Sequence, residues 1–522
     1  MQWLASVKNG CFNIVVHDHA ERRTLFLSDR FGFLPLYLLR RPDGLWFASD
    51  LESLRRVSPV RLETNPVGLA ELYWFGYQIG NRTVYRDVQL LPRGCALSVR
   101  WDDGIESVEY LPAPYSDPPG PPPDRATIPH DLVELMTRAC ARLYNPAFKY
   151  GNKLSGGMDS RLIGACWPHG PLYCYTYGQP GSMEVRVAAA LADRLGYSHR
   201  LVPVEGEFFP DSYLEMFQHY GIMEFVHELL TPYLAQDGVS MLFDGIIGDI
   251  TIGGVFYRQD VSMGDRFYSA LGLRHQALKP LSMGRDETAE FLFKTICVGD
   301  EDFPTLQPSA KEALAACKDS ILHDIATEVA SLQKDKGESV GLVTSKFKLA
   351  NRTRRYVSLG GTTNRIEVQT LYPFLDADLF AYARTIPEKD RPFRRVYFRV
   401  YSEALPQIRS IPSVMTLIPF VLPRQLHLPG RVVRSLLEKG MRRLMKATKG
   451  KIRFNGMDAI QWNLWLALNP KFRSGITDFL RGNPVVDPDA LQRVLSSVAN
   501  FKHSVVGTRL MLSLSYCAWH QV

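Results

Sequence analysis

No run of about 18 uncharged apolar residues occurs in this 522-residue chain, so a membrane-spanning helix is not expected. The opening MQWLASVKNG lacks the basic start and apolar stretch of a secretory signal. Cysteine is scarce: the eight residues form no Cys-x-x-Cys pair, which argues against a zinc site or a disulfide framework. Reduced thiols in a cytoplasmic protein are the expectation. Glycine and proline follow no period, and the 46% hydrophobic and 22% charged content is that of a globular protein, excluding collagen-like and wholly disordered chains. Charge of one sign is also in short supply. The net charge is +7, but Arg424–Arg453 alone carries +9, with Glu438 its only acid. The remainder is nearly neutral, so a nucleic-acid partner is not implied.

What is present changes character along the chain. CFNIVVHD, TLFLSD, PLYLL, LWFAS and CALSVRW are short apolar runs separated by turn chemistry, and predict a β-rich domain over 1–111 with one helix near Val67–Phe75. Seven prolines between Pro112 and Pro123 mark a linker over 112–124. Beyond it, apolar strands (YGNK, LYCYTYG, HRLVPV, SMLF) alternate with helical patterns (130–145, DSRLIGACW, MEVRVAAALADRLGY), which predicts a parallel α/β sheet within 125–420. Residues 285–520 read as mainly helical, and 421–522 as a basic helical extension.

The sharpest local signal is Leu154-Ser155-Gly156-Gly157-Met158-Asp159-Ser160, at a strand end and a helix start. Exposed N–H groups and two hydroxyls there suit a phosphate group. It is not a Walker A loop, because the Gly-Lys-Ser/Thr ending is missing. Asp159 would repel phosphate directly but suits Mg²⁺ bridging to pyrophosphate oxygens. The bland alternative is a glycine turn capped by Ser and Asp.

S-G-G-x-D-S resembles the fingerprint of the PP-loop ATP pyrophosphatases, and the surrounding blocks resemble the asparagine synthetase family in order. Ser28–Tyr37 resembles the D-R-x-G-x-x-P-L-Y-Y signature late in that family's glutaminase domain, and Leu91–Gly94 its L-P-P-G turn. Tyr175–Gly178 with Glu184 resembles the second nucleotide strand. Asp244–Asp249 with Gly253-Gly254 resembles S-G-E-G-S-D-E-x-F-G-G, and Pro373–Asp376 matches P-F-L-D. The resemblance spans about residues 10 to 410. It implies an N-terminal β-rich remnant of an Ntn glutaminase-type domain, then a parallel-sheet PP-loop synthetase domain with a helical C-terminal extension. It also implies ATP and Mg²⁺: a carboxylate attacks the α-phosphorus, pyrophosphate leaves, and an amine displaces AMP. Carried over by position, Leu154 and Tyr177 contact adenosine; Ser155, Gly156, Gly157 and Ser160 cradle pyrophosphate; Asp159 and Asp249 share the metal; Asp244 and Gly245 flank the nucleotide.

The sequence departs from this pattern in three places. The family's glutaminases begin with a nucleophilic cysteine after Met. Here the second residue is Gln2, NGCFNIVVHD matches text from near that domain's end, and Cys11 lies in a strand pattern. Nitrogen from glutamine is therefore not expected. Ile246 stands where asparagine synthetases have Glu, with Glu184 and Glu367 as the nearest acidic candidates. Met415 stands at or next to the expected lysine after Ile411-Pro412; Arg394, Arg395, Arg399 and Arg409 are the nearby cations, with Arg395 taken as the catalytic one. A glutaminase-deficient branch resembling the lasso-peptide cyclases fits best. It implies a peptide or small-molecule carboxylate substrate and a leader-peptide-binding or protease partner. An asparagine synthetase paralogue using free ammonia, and a non-catalytic ATP- or peptide-binding scaffold, are the alternatives.

Two further features carry plainer expectations. In RVVRSLLEKGMRRLMK (431–446), Val432, Val433, Leu436, Leu437, Met441, Leu444 and Met445 form one face opposite basic residues. This predicts a helix packed through its apolar face with a solvated basic side. An anionic membrane surface or an acidic partner at 424–453 is the functional alternative. Tyr173, Tyr175 and Tyr177 alternate as a buried strand face would.

Overall fold

The computed structural model describes residues 6–42, 44–100, 104–109, 120–204, 210–221, 230–254, 283–297, 305–333, 338–363, 368–448, 451–452, 456, 462–499, 514 and 516–517. Most of the proline-rich linker and Glu367 lie outside them.

The N-terminal strands are β1 (Asn13–Asp18), β2 (Arg23–Ser28), β3 (Tyr37–Arg41), β4 (Gly44–Ala48), β5 (Val88–Leu90), β6 (Cys95–Arg100) and β7 (Gly104–Glu109). They form two antiparallel sheets, β1-β2-β6-β7 and β4-β3-β5. Phe26, Leu36, Leu38, Leu91 and Leu97 make a shared apolar cluster. Two helices follow β4, where one is expected. The additional one, Leu51–Val57, is capped by Asp50, whose carboxylate accepts from Ser53 N at 2.8 Å. The other, Pro66–Phe75, is buried at every position from Gly68 onward. Such a helix belongs inside a core, and Trp74 packs edge-on against Phe293. Residues 465–495 join this same core.

The second sheet consists of β8 (Tyr150–Lys153), β9 (Tyr173–Gly178), β10 (Ser198–Pro203), β11 (Met241–Phe243) and β12 (Gln369–Leu371). All its pairings are parallel, in the order β10-β9-β8-β11-β12. β12 lies in the stretch expected to be helical. Chain order reverses between β8 and β11, and ligands of such sheets bind beyond the strand ends at that reversal. The P-F-L-D block holds structure together: Asp376 caps the helix Ala377–Thr385 and accepts from Arg142 at 2.7 Å.

None of the eight cysteines is in a disulfide bond. No described helix is long and apolar enough to cross a membrane. The helix His427–Ala447 forms, but not in the expected orientation. Met445 is buried, whereas Val432, Val433, Leu436, Leu437 and Leu444 are exposed. Its periodicity reports amphipathicity without saying which face meets the protein.

Candidate active site

At the reversal the chain opens a cavity of about 500 Å³. β8 delivers Lys153, Leu154 and Ser155 to its floor, and the helix Asp159–Cys166 begins beside them. The turn between is tied by hydroxyls: Ser160 Oγ accepts from Ser155 N at 2.9 Å, and Ser155 Oγ from Gly157 N at 3.1 Å. The Leu154 carbonyl accepts from Thr176 Oγ1 at 2.6 Å. A Cβ on Gly156 would lie 2.3 Å from the Val414 side chain, so this turn closes only around glycine.

The loop after β11 meets the same turn. Asp244 is paired with Lys153 at 2.9 Å and accepts from Ile246 N at 3.1 Å. A Cβ on Gly248 would sit 2.4 Å from the Asp159 carboxylate. Ile247 adopts φ 67°, a left-handed conformation that is costly for a β-branched residue and recurs at functional sites. Burial, and next the charge of Asp249, push the Asp159 carboxyl up to about 7; a hydrogen bond from the Tyr397 hydroxyl opposes the rise. Two carboxylates so placed suit an oxygen-seeking cation completed by phosphate oxygens. No group of three or more His, Cys, Asp or Glu side chains placed to hold a metal ion exists among the described residues.

Of the residues singled out from sequence, Leu154, Ser155, Gly157, Asp159, Ser160, Tyr177, Asp244, Gly245 and Asp249 all line the cavity, as do Glu184 and Ile246. Gly156 packs behind it. Tyr175 also lines it, with its hydroxyl on Asp237 at 2.7 Å, whereas Tyr173 does not. Cys11 is packed against the apolar core below the parallel sheet.

Arg395 requires correction. It is not among the lining residues, and its NH1 donates to the Lys389 carbonyl at 3.3 Å. Phe393 and Arg394 take φ 61° and 58°, after which a helix starts at Arg395. With Tyr397 and Tyr401 turned toward the nucleotide turn, the neighbouring Arg395 points elsewhere. Arg394 is the cation that acts on Asp159, and its NH1 meets Met415 Sδ at 2.8 Å. Arg399 is engaged by Glu403 at 2.8 Å.

Several site residues carry no sequence signal. Lys348, Arg352, Thr353 and Val357 wall the cavity from a helix running into the π-helical segment Leu349–Val357. Burial and the nearby Arg352 lower the Lys348 ammonium to about 8. The Tyr401 hydroxyl donates to the Met158 carbonyl. Arg161, buried and lowered to about 10 by desolvation, donates to the Ile411 and Pro412 carbonyls at 3.2 and 2.9 Å.

A glycine-rich turn and a carboxylate pair thus stand together at the reversal of a parallel sheet, where ligands of such sheets bind. Residues 131–408 match the family model described as asparagine synthase, and residues 2–111 match a glutamine amidotransferase domain. The first match covers more than half of the chain, which therefore belongs to the asparagine synthase family. At that level its activity is ATP-dependent formation of an amide bond.

Proposed function

We propose that this chain activates a carboxylate of a peptide by AMP transfer and couples it to the peptide's own N-terminal amine, closing a macrolactam ring without hydrolysing glutamine. The carboxylate oxygen forms a bond to the α-phosphorus and pyrophosphate leaves. The amine nitrogen then bonds to the acyl carbon, AMP leaves with the bonding pair, and the amine gives up its proton.

In this reading Leu154 and Tyr177 hold adenosine, while Asp244 and Gly245 flank the nucleotide. Ser155, Gly156, Gly157 and Ser160 cradle pyrophosphate with N–H and O–H donors. Mg²⁺ held by Asp159 and Asp249 would neutralise charge on the departing pyrophosphate. Lys348 and Arg352, which wall the cavity, take the cationic role that resemblance assigns to a lysine near Met415.

One observation carries the choice of substrate. Ile246, Ile247 and Ile250 line the cavity around Asp159 and Asp249. Their side chains offer no counter-charge to an ammonium ion or a free amino-acid headgroup, whereas they suit the apolar flank of a peptide; the carboxylates of the wall are Glu184, Asp244 and the Asp159–Asp249 pair.

The test is AMP and pyrophosphate release from Mg²⁺–ATP with synthetic peptides. These carry a free N-terminus and an Asp or Glu in ring-closing reach. Peptide-dependent release with a product lighter by one water supports the proposal. Release with aspartate and ammonium instead identifies an ammonia-using asparagine synthetase. ATP binding without turnover on either substrate identifies a scaffold.

A further inference from the structure

We propose that the outward side of the helix His427–Ala447 docks on an anionic lipid membrane surface. The helix has three faces. The inward one is built from His427, Gly430, Arg434, Glu438, Met441 and Met445 at three- and four-residue spacing. His427 packs on Phe398 with ring centroids 4.5 Å apart, and its Nδ1 meets Thr416 Oγ1 at 2.7 Å. A Cβ at Gly430 would lie 2.3 Å from the Thr416 carbonyl. These contacts fix the roll of the helix, so the other two faces stay in solvent.

The second face is aliphatic. Val432, Val433, Leu436, Leu437 and Leu444 are each 41–61% exposed, and Leu422 and Leu426 extend the patch before the helix. The third face is basic: Arg431, Lys439 and Arg442 are exposed, and Arg443 is exposed where this face borders the aliphatic row. Glu438, the only acid of the helix, is bound to Arg434 at 3.1 Å on the inward side. An aliphatic row beside a basic row, with no exposed acid, is the pattern of a helix lying in the plane of a bilayer interface. A protein partner is favoured less. Interface centres concentrate Trp, Tyr, Met and Arg and are poor in Lys, whereas this apolar row holds only Val and Leu. Charge sets the lipid class, because the cations of this helix stand on an otherwise nearly neutral chain.

The experiment is flotation of the full chain with vesicles of phosphatidylcholine alone, or with about a third phosphatidylglycerol. Wild type should float only with the anionic vesicles, and less at high salt. Arg442→Ala with Arg443→Ala should weaken partitioning about 30-fold, and Leu436→Glu with Leu437→Glu should abolish it. Thermal melts check that each variant is folded; Leu436→Ser with Leu437→Ser replaces the glutamate pair if that pair is not. Failure of wild type to float with anionic vesicles overturns the proposal. So does flotation that folded variants leave unchanged, or capture by polyglutamate peptide in place of vesicles.

Discussion

The antiparallel sheets of residues 13–109 and the parallel sheet of residues 150–371 both lean on the segment Leu349–Val357, and they use opposite sides of it. On one side Arg352, Thr353 and Val357 wall the cavity. On the other, Arg354 donates to Gly32 O, Asn81 Oδ1 and Leu91 O at 3.2, 2.9 and 2.5 Å. Arg355 donates to Gln78 Oε1 at 3.0 Å and Arg82 O at 2.8 Å, and Asn351 Oδ1 accepts from Gly80 N at 2.7 Å. Burial lowers the Arg354 guanidinium to about 9, so this anchoring is made at a desolvation cost. None of the described residues of the N-terminal region lines the cavity. The region nevertheless positions the wall that carries Arg352, a structural use that does not depend on glutaminase chemistry.

The comparison makes a ranked set of predictions. The largest effect belongs to the parallel-sheet side. Asp159→Asn should cut AMP release by about 10²–10³-fold while leaving the fold intact. It should also change the pH dependence of stability. The folded carboxyl sits near 7 against an ordinary 3.8. Between those values the folded state keeps a proton that the unfolded chain has lost, so wild-type stability falls as pH rises through that window. The Asn variant lacks this slope; metal-free melts at several pH values would show an unchanged slope if Asp159 were not the group.

Arg354→Met comes second and tests whether the N-terminal region is more than a passenger. It leaves two buried acceptors and one half-buried acceptor without this donor, at about 2–4 kcal/mol. The KM for ATP should rise more than kcat falls. A lower melting temperature with unchanged KM would sever the two sides of the segment.

The smallest effect lies wholly within the N-terminal region. Glu52 pairs with Arg55 at 2.7 Å and Arg56 at 2.8 Å, both arginines being exposed. The hydrogen bond from Arg55, aided by Arg56, lowers its carboxyl to about 2. Its contribution is therefore present above the ordinary carboxylate pKa and lost as pH falls toward 2. Glu52→Gln should cost less than about 1 kcal/mol with no change in KM, read from denaturant melts at neutral pH.

What was legible in the sequence was local. Short apolar runs alternating with helical periods indicate a parallel sheet, and Ser155–Ser160 and Asp244–Asp249 stand out because tight turns restrict which residues serve. Lys348, Arg352, Tyr397 and Tyr401 were not legible, and Arg394 was legible only as one of four candidate cations. They lie far along the chain from Asp159 and reach it through helix packing, which leaves no short pattern. Arg395 illustrates the limit: two positions along a helix separate it from Tyr397, which meets Asp159. β12 is three residues long and gains its place by pairing with β11. The helix Leu51–Val57 did have a signal, the Asp50–Ser53 cap.

The reach of Arg161 to Ile411 and Pro412 has a consequence for synthesis on the ribosome. At about 5–20 residues per second, roughly 12–50 s separate translation of the two ends of that contact. For nearly all of that interval the nucleotide turn exists without Tyr397 and Tyr401, and for the whole of it without Val414, to close it. Nucleotide can therefore act as a folding ligand only late, once the chain has passed the loop that Arg161 holds. Nascent chains halted before that loop should turn over no ATP, however complete their parallel sheet.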